Sequence, residues 1–213
     1  MRVLRRISQL GTVLAVAAVG LSVAAPSAQA VAAPALGTTS LASVLTADGN
    51  KFDRNWHDYD IVTEAVLAVL AAKPTSAVGV LADGTVPLTA FIPNDRAFQW
   101  LVHDLTGKWL GSERDVFAAV AGLGIPTVET VLLYHVVPGA TITAAQAVKA
   151  DGAKLTTAQG GVITVNVRKH PRQIRLWDLD PTDLNPTVVQ VNLNKGNRQI
   201  AHGISRVLRP LDL

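Results

Sequence analysis

Histidines, carboxylates and one short run of arginine and lysine are the groups in this 213-residue chain that could do chemistry. His57, His103, His135, His170 and His202 could bind a metal only by converging from distant positions, because no HExxH or similar spacing is present. The richest oxygen cluster is Asp48, Asn50, Asp53, Asn55, Asp58, Asp60 and Glu64. Asp53 to Glu64 has the span of a calcium-binding loop, but Asp58 stands where such a loop needs glycine, so the stretch reads as a solvated loop. No G-x-S-x-G elbow supplies a nucleophile, and Ser205 lies in a strand pattern. Asp178 and Asp180 lie in a loop with no apolar surroundings to separate their pKa values. Gly160-Gly161 reads as a hairpin turn and not as a phosphate cradle. The chain has no cysteine, which excludes disulfides, thiolate metal sites and a cysteine nucleophile. No enzyme, metal site or cofactor is implied.

Binding chemistry has better candidates. Arg168, Lys169, His170, Pro171 and Arg172 form a basic run continued by Arg175 and flanked by Trp177. Such a run suits an anionic partner, an acidic glycan or protein face, with Trp177 stacking on a sugar. The alternative is a solvated hairpin tip whose charges guard a sheet edge.

Local signals place these groups on elements. Ser40 starts a short helix over Leu41 to Thr46, and Asp60 caps Ile61 to Ala72. A further short helix fits Ser76 to Leu81. Leu88 to Ile92 is an apolar run stopped by Pro93 and reads as a buried strand. Asn94 or Asp95 then caps Arg96 to Leu105, where Ala97, Leu101 and Leu105 recur on one face. Ser112 with Asp115, and Pro126, open helices ending near Leu123 and Leu133, and Pro138-Gly139 is a turn. Thr143 with Gln146 forms a capping box. Beyond residue 150 the period becomes two, with a hairpin over Lys154 to Val167 and strands at Gln173 to Trp177, Thr187 to Leu193 and Gln199 to Leu208. The stretch between Asp178 and Pro186 is expected to be a surface loop. Helices first and strands later predict one α+β domain.

Residues of apolar or aromatic type make up 49% of the chain, charged ones 16%, and the mean hydropathy is +0.30, so disorder is excluded. The formal charge of +3 comes entirely from Arg2, Arg5 and Arg6. Without them the charges balance, which removes any general attraction to nucleic acid. Those arginines, an apolar run from about Leu10 to Ala25 and Ala28-Gln29-Ala30 predict a secretory signal peptide over residues 1–30, followed by a flexible lead-in over 31–39. The run is too short and too rich in alanine for a stable membrane span. A secreted or cell-wall-associated monomer is expected.

Three stretches stand in a telling order: Leu88-Thr-Ala-Phe-Ile-Pro-Asn-Asp-Arg-Ala-Phe98, Leu132-Leu-Tyr-His-Val-Val-Pro-Gly139 and Ile200-Ala-His-Gly-Ile-Ser-Arg-Val-Leu-Arg-Pro210. Together they resemble the fasciclin (FAS1) domain family over about Ser40 to Leu211. The resemblance implies a wedge of β-strands beside a helical layer, and a non-enzymatic module for adhesion to an extracellular or cell-surface protein or glycan. It also places His135 near the first block, where a ring nitrogen could bond the helix start at Asn94 and Asp95. Tyr134 and His135 are then either an adhesive contact or a packed tyrosine beside a satisfied structural histidine, and the second reading is favoured because buried polar groups normally have partners. Ser205 departs from the family's usual Asp. The stretch Arg168 to Pro186 is longer than the family's usual hairpin. The competing functional reading is a carrier or glycan-binding protein with a hydrolase behind it. A concave pocket with convergent polar groups favours the carrier, and a flat apolar patch favours adhesion.

Overall fold

The computed structural model describes residues 35–47, 49, 51–169 and 172–211. The expected leader, residues 31–34 of the lead-in, Asp48, Asn50, His170 and Pro171 lie outside them. The helices start where local chemistry predicts. Ser40 accepts from Ser43 N ahead of α1 (Leu41–Leu45), and Ser112 Oγ accepts from Asp115 N ahead of α4 (Glu113–Ala121). Asn94 Oδ1 accepts from Ala97 N ahead of α3 (Asp95–Thr106), which Gly107 ends in the left-handed conformation at φ 70°. Pro126 sits in the first turn of α5 (Ile125–Tyr134), and the Thr143–Gln146 capping box opens α6 (Ala144–Ala147).

Three expectations need correction. Helix α2 (Asp60–Ala72) includes Asp60, and its start is capped from another element, by Asp95 Oδ1 accepting from Ile61 N at 2.9 Å. The segment after it is a 3-10 helix, Ala77–Ala82. The expected Pro138-Gly139 turn follows a short strand, β2 (Val136–Pro138), which pairs antiparallel with β1 (Leu88–Pro93). Two β-branched residues directly behind α5 supply that strand, and β1 supplies its hydrogen bonds.

The remaining strands are β3 (Lys154–Thr156), β4 (Val162–Lys169), β5 (Arg172–Trp177), β6 (Val188–Leu193) and β7 (Gln199–Ile204). Among the described residues they form a four-stranded sheet ordered β2-β1-β7-β6 and a three-stranded sheet ordered β3-β4-β5, with β1 and β7 parallel. Every residue of β1 and β7 is buried. The cause is two cores, one on each side of that sheet. Leu88, Ala90 and Ile92 pack with Ile61, Leu101 and Val116 of the helices, while Phe91 and Ile204 pack with Ile163, Val165 and Leu176 of the hairpin sheet. Each of the larger of these side chains contributes about 1.5–3 kcal/mol by leaving water. Gly203 of β7 lies under Tyr59, whose hydroxyl stands 2.1 Å from where a Cβ would sit, so only glycine lets the ring close over the strand. The result is the expected α+β fold. No single helix among the described residues is long and apolar enough to cross a membrane.

Candidate binding site

Tyr134 ends α5 and His135 caps it. The imidazole joins two of the three sequence blocks: its Nδ1 lies 2.7 Å from Val131 O, and Leu208 N donates to its Nε2 at 2.9 Å. Because Nε2 must accept from an amide, the proton sits on Nδ1 and the ring is neutral. Burial pushes the His135 pKa down to about 4. Phe91 N donates to His135 O at 2.9 Å, so the backbone ties the first block in as well. The expected ring contact at Asn94 and Asp95 is replaced by the one at Leu208. The Tyr134 hydroxyl donates to Val162 O at 2.8 Å, and burial raises its pKa further. A Cβ on Gly161 would stand 2.8 Å from the Tyr134 ring, so this glycine serves close packing as well as the turn.

Tyr134, His135, Asn94 and Asp95 are 0%, 5%, 6% and 0% exposed. None of the four offers a surface side chain to a partner. His202 is buried too, with Nε2 2.8 Å from Ile142 O and Nδ1 accepting from Asn192 N of the neighbouring β6 at 3.4 Å, so it fastens both the segment before α6 and that strand to β7. Among the described residues the histidines do not converge on one site. The metal-capable group among the described residues is made of carboxylates, Asp58, Asp95 and Glu113.

The basic hairpin divides by register. Arg168 faces Gln173, Asn166 faces Arg175 and Thr164 faces Trp177, which puts Arg168, Arg175 and Trp177 on one face of the β4–β5 ribbon. Lys169 pairs with Arg172 at the other end, five residues from Trp177 and therefore about 17 Å away along an extended strand. Arg168, Lys169 and Trp177 are exposed and Arg175 is half-buried. Charge and aromatic ring thus share a ribbon without forming one compact spot.

The larger concavity lies elsewhere. Trp100, His103 and Asp104 of α3, Thr182, Asp183 and Leu184 of the long segment, and Arg206 and Arg209 behind β7 line an open groove of about 630 Å³. Arg209 holds Asp180 at 3.3 Å, Asp104 at 2.9 Å and Asp183 at 3.2 Å. The Arg206 guanidinium lies 4.2 Å from the Trp100 ring centre and pairs with Asp104 at 3.4 Å. Trp109 stacks on His103 at 4.3 Å and meets Trp100 edge-on at 4.5 Å, while staying 50% exposed. The Asp178–Pro186 segment is therefore no free surface loop. Asp178 Oδ2 accepts from Arg209 N at 2.9 Å, and burial pushes the Asp178 pKa up to about 6, contrary to the expectation of solvated carboxylates there. The groove thus combines ion-paired charges with a half-exposed aromatic ring beside it.

The sequence profile of the Fasciclin domain matches residues 63–210. The chain belongs to the fasciclin family. A solved FAS1 domain pair from the insect cell adhesion molecule fasciclin I is similar, at 16% identity and a TM-score of 0.43, over 70% of this chain. This chain spans 43% of that chain's length. No curated protein matches.

Within this fasciclin domain the groove residues are not among the sequence candidates, although a local signal is present. Trp100, His103 and Asp104 lie at i, i+3 and i+4 on α3, off the Ala97–Leu101–Leu105 stripe, and Arg206 and Arg209 recur three apart in the closing block. A polar-aromatic face opposite a core stripe is what an exposed binding helix presents. Ser205, in place of the family's usual Asp, accepts from Thr187 N at 3.1 Å and borders a second hollow of about 400 Å³ beside Tyr59, Arg96 and Trp100.

Proposed function

We propose that this chain is an exported, non-enzymatic, monomeric interaction module, delivered by a cleavable leader over residues 1–30 and taking an extracellular partner in the groove over Arg206 and Arg209. Membership of the fasciclin family supports the interaction role. The observation that carries the site is the groove itself: about 630 Å³, lined by the ion-paired Arg206 and Arg209 and by Trp100 and His103, against which the half-exposed Trp109 packs. Tyr134 and His135 are a poorer choice, since both are spent on internal hydrogen bonds. A second reading, a glycan-binding protein, draws on the same concavity: it is polar and recessed, where adhesion by apolar contact would use a flat patch.

Immobilised protein challenged with separate cell-wall polysaccharide and culture-protein fractions tests both. Trp109→Ala combined with Leu184→Ser is expected to abolish retention, while neutralising Arg168, Lys169, Arg172 and Arg175 leaves it intact. Retention unchanged in the groove variant and lost in the hairpin variant would move the site to the basic ribbon. Retention of polysaccharide alone would select the glycan reading.

A further inference from the structure

Three carboxylates from three different segments meet inside the molecule. Asp58 lies in the loop before α2, Asp95 opens α3 and Glu113 opens α4, and one ligand oxygen from each lies within 4.8 Å of the other two. Asp95 and Glu113 are 0% and 1% exposed. Each has one oxygen pinned by a backbone amide: Asp95 Oδ1 by Ile61 N at 2.9 Å, Glu113 Oε2 by Asp53 N at 2.5 Å. Asp58 is pinned through its backbone, its N–H donating to Asn55 O and its carbonyl accepting from Asp95 N. The oxygens left over are unclaimed. Asp58 Oδ1, Asp95 Oδ2 and Glu113 Oε1 are buried and have no hydrogen-bond partner.

Among the described residues no lysine, arginine or histidine forms an ion pair with any of the three. The arginines next to them in sequence are turned to other uses: Arg96 bonds Gln99 and lies over Trp56, and Arg114 lies over Phe52. The starts of α2, α3 and α4 each bring roughly half a positive charge, which eases the carboxylates but does not balance three of them. A proton shared between Asp58 and Asp95 would satisfy two of the orphaned oxygens and leave Glu113 Oε1 alone. A single cation satisfies all three.

We propose that Asp58, Asp95 and Glu113 form a binding site for one calcium ion, which ties the starts of α3 and α4 to the loop before α2. Calcium holds oxygens at about 2.3–2.6 Å, so oxygens up to about 5 Å apart can share one ion, and its irregular shell takes water for the remaining positions. Magnesium requires near-octahedral geometry at about 2.0–2.1 Å, a narrower fit. An all-oxygen donor set disfavours zinc and copper. The site goes beyond the interaction role and does not depend on it.

The test is thermal unfolding of chelator-treated protein against added calcium, magnesium or zinc, with equilibrium dialysis of calcium on the unaltered protein. Dialysis is expected to retain one calcium per chain, and each tenfold rise in calcium above the dissociation constant should raise Tm by roughly 3–5 °C. Asp95→Asn and Glu113→Gln, which keep the amide-bonded oxygen, should each remove that response. No retained calcium, a response to magnesium or zinc alone, or a calcium response undiminished in both variants overturns the site. Should a variant fail to fold, dialysis on the unaltered protein still decides.

Discussion

His135 and Asp95 are both buried and both belong to sequence blocks of the fasciclin family, yet they are finished in opposite ways. At His135 both ring nitrogens have backbone partners, and the neutral tautomer is dictated by Leu208 N–H. At Asp95 one oxygen caps α2, while the other joins two further carboxylate oxygens that nothing satisfies. A closed buried network holds a fold together and leaves no valence for a partner. An incomplete one costs stability unless something from solution completes it. Burial alone therefore does not distinguish a structural polar residue from a ligand-ready one; the tally of partners does.

The strongest way to break this contrast is to remove the imidazole. His135→Ala leaves Leu208 N–H unpaired in the interior and opens a cavity, and should cost about 3–5 kcal/mol in urea unfolding. Unchanged stability with lost partner binding would return His135 to an adhesive role.

Proton linkage sharpens the contrast, because the two sites pull in opposite senses. Burial lowers the His135 pKa from 6.5 to about 4, so between those values the unfolded chain binds one more proton and stability falls as pH falls. His202, also lowered by burial, acts in the same sense. Burial, with Asp58 alongside, raises the Asp95 pKa from 3.8 to about 9, so across that range the folded chain holds the extra proton and stability falls as pH rises. Below pH 6.5 the opposing slopes offset each other; above it the carboxyl acts without a histidine to oppose it. Calcium-free protein should therefore be nearly flat in urea midpoint below pH 6.5 and decline toward pH 9. Asp95→Asn should abolish the alkaline decline and unmask an acid one of about 1.4 kcal/mol per pH unit or less, Asp178 still opposing it below pH 6. An unaltered profile in that variant would mean that Asp95 carries no buried proton.

What could be read beforehand followed sequence distance. The caps at Ser40, Asn94 and Ser112 and the Thr143–Gln146 box act within three residues, and all stand where expected. The three blocks were enough to indicate the α+β fold and its family. The partner of His135 lies 73 residues away at Leu208, so its contact was misplaced. Asp95 reads as a helix cap, which it is, but for α2 instead of its own helix. Glu113 carries no local signal of a site, because its neighbours Asp58 and Asp95 come from other segments and only packing brings them together. Arg209 similarly collects Asp104, Asp180 and Asp183 from two distant stretches, turning a loop that looked solvated into a wall of the groove. Composition and periodicity report each element's own chemistry, and sites built between elements escape them.

Smaller effects test whether the closed region is closed throughout. Gly161→Ala drives a methyl toward the Tyr134 ring at 2.8 Å, and the overpacking should cost about 1–3 kcal/mol by urea unfolding. Were this variant as stable as its parent, the tyrosine would have room to move and its hydroxyl could be drawn away from Val162.

At the far end of the scale is Trp109→Ala. The ring is half-exposed and touches only His103 and Trp100 among the aromatics, so losing it should lower stability by at most about 1 kcal/mol. If the groove is the binding surface, the same change should reduce partner retention far more than the roughly fivefold that 1 kcal/mol represents. That pairing of a small stability change with a large binding change is the reverse of the one expected at His135. It would place the working surface of this fasciclin domain on α3 and the closing segment, outside the buried Tyr134–His135 block.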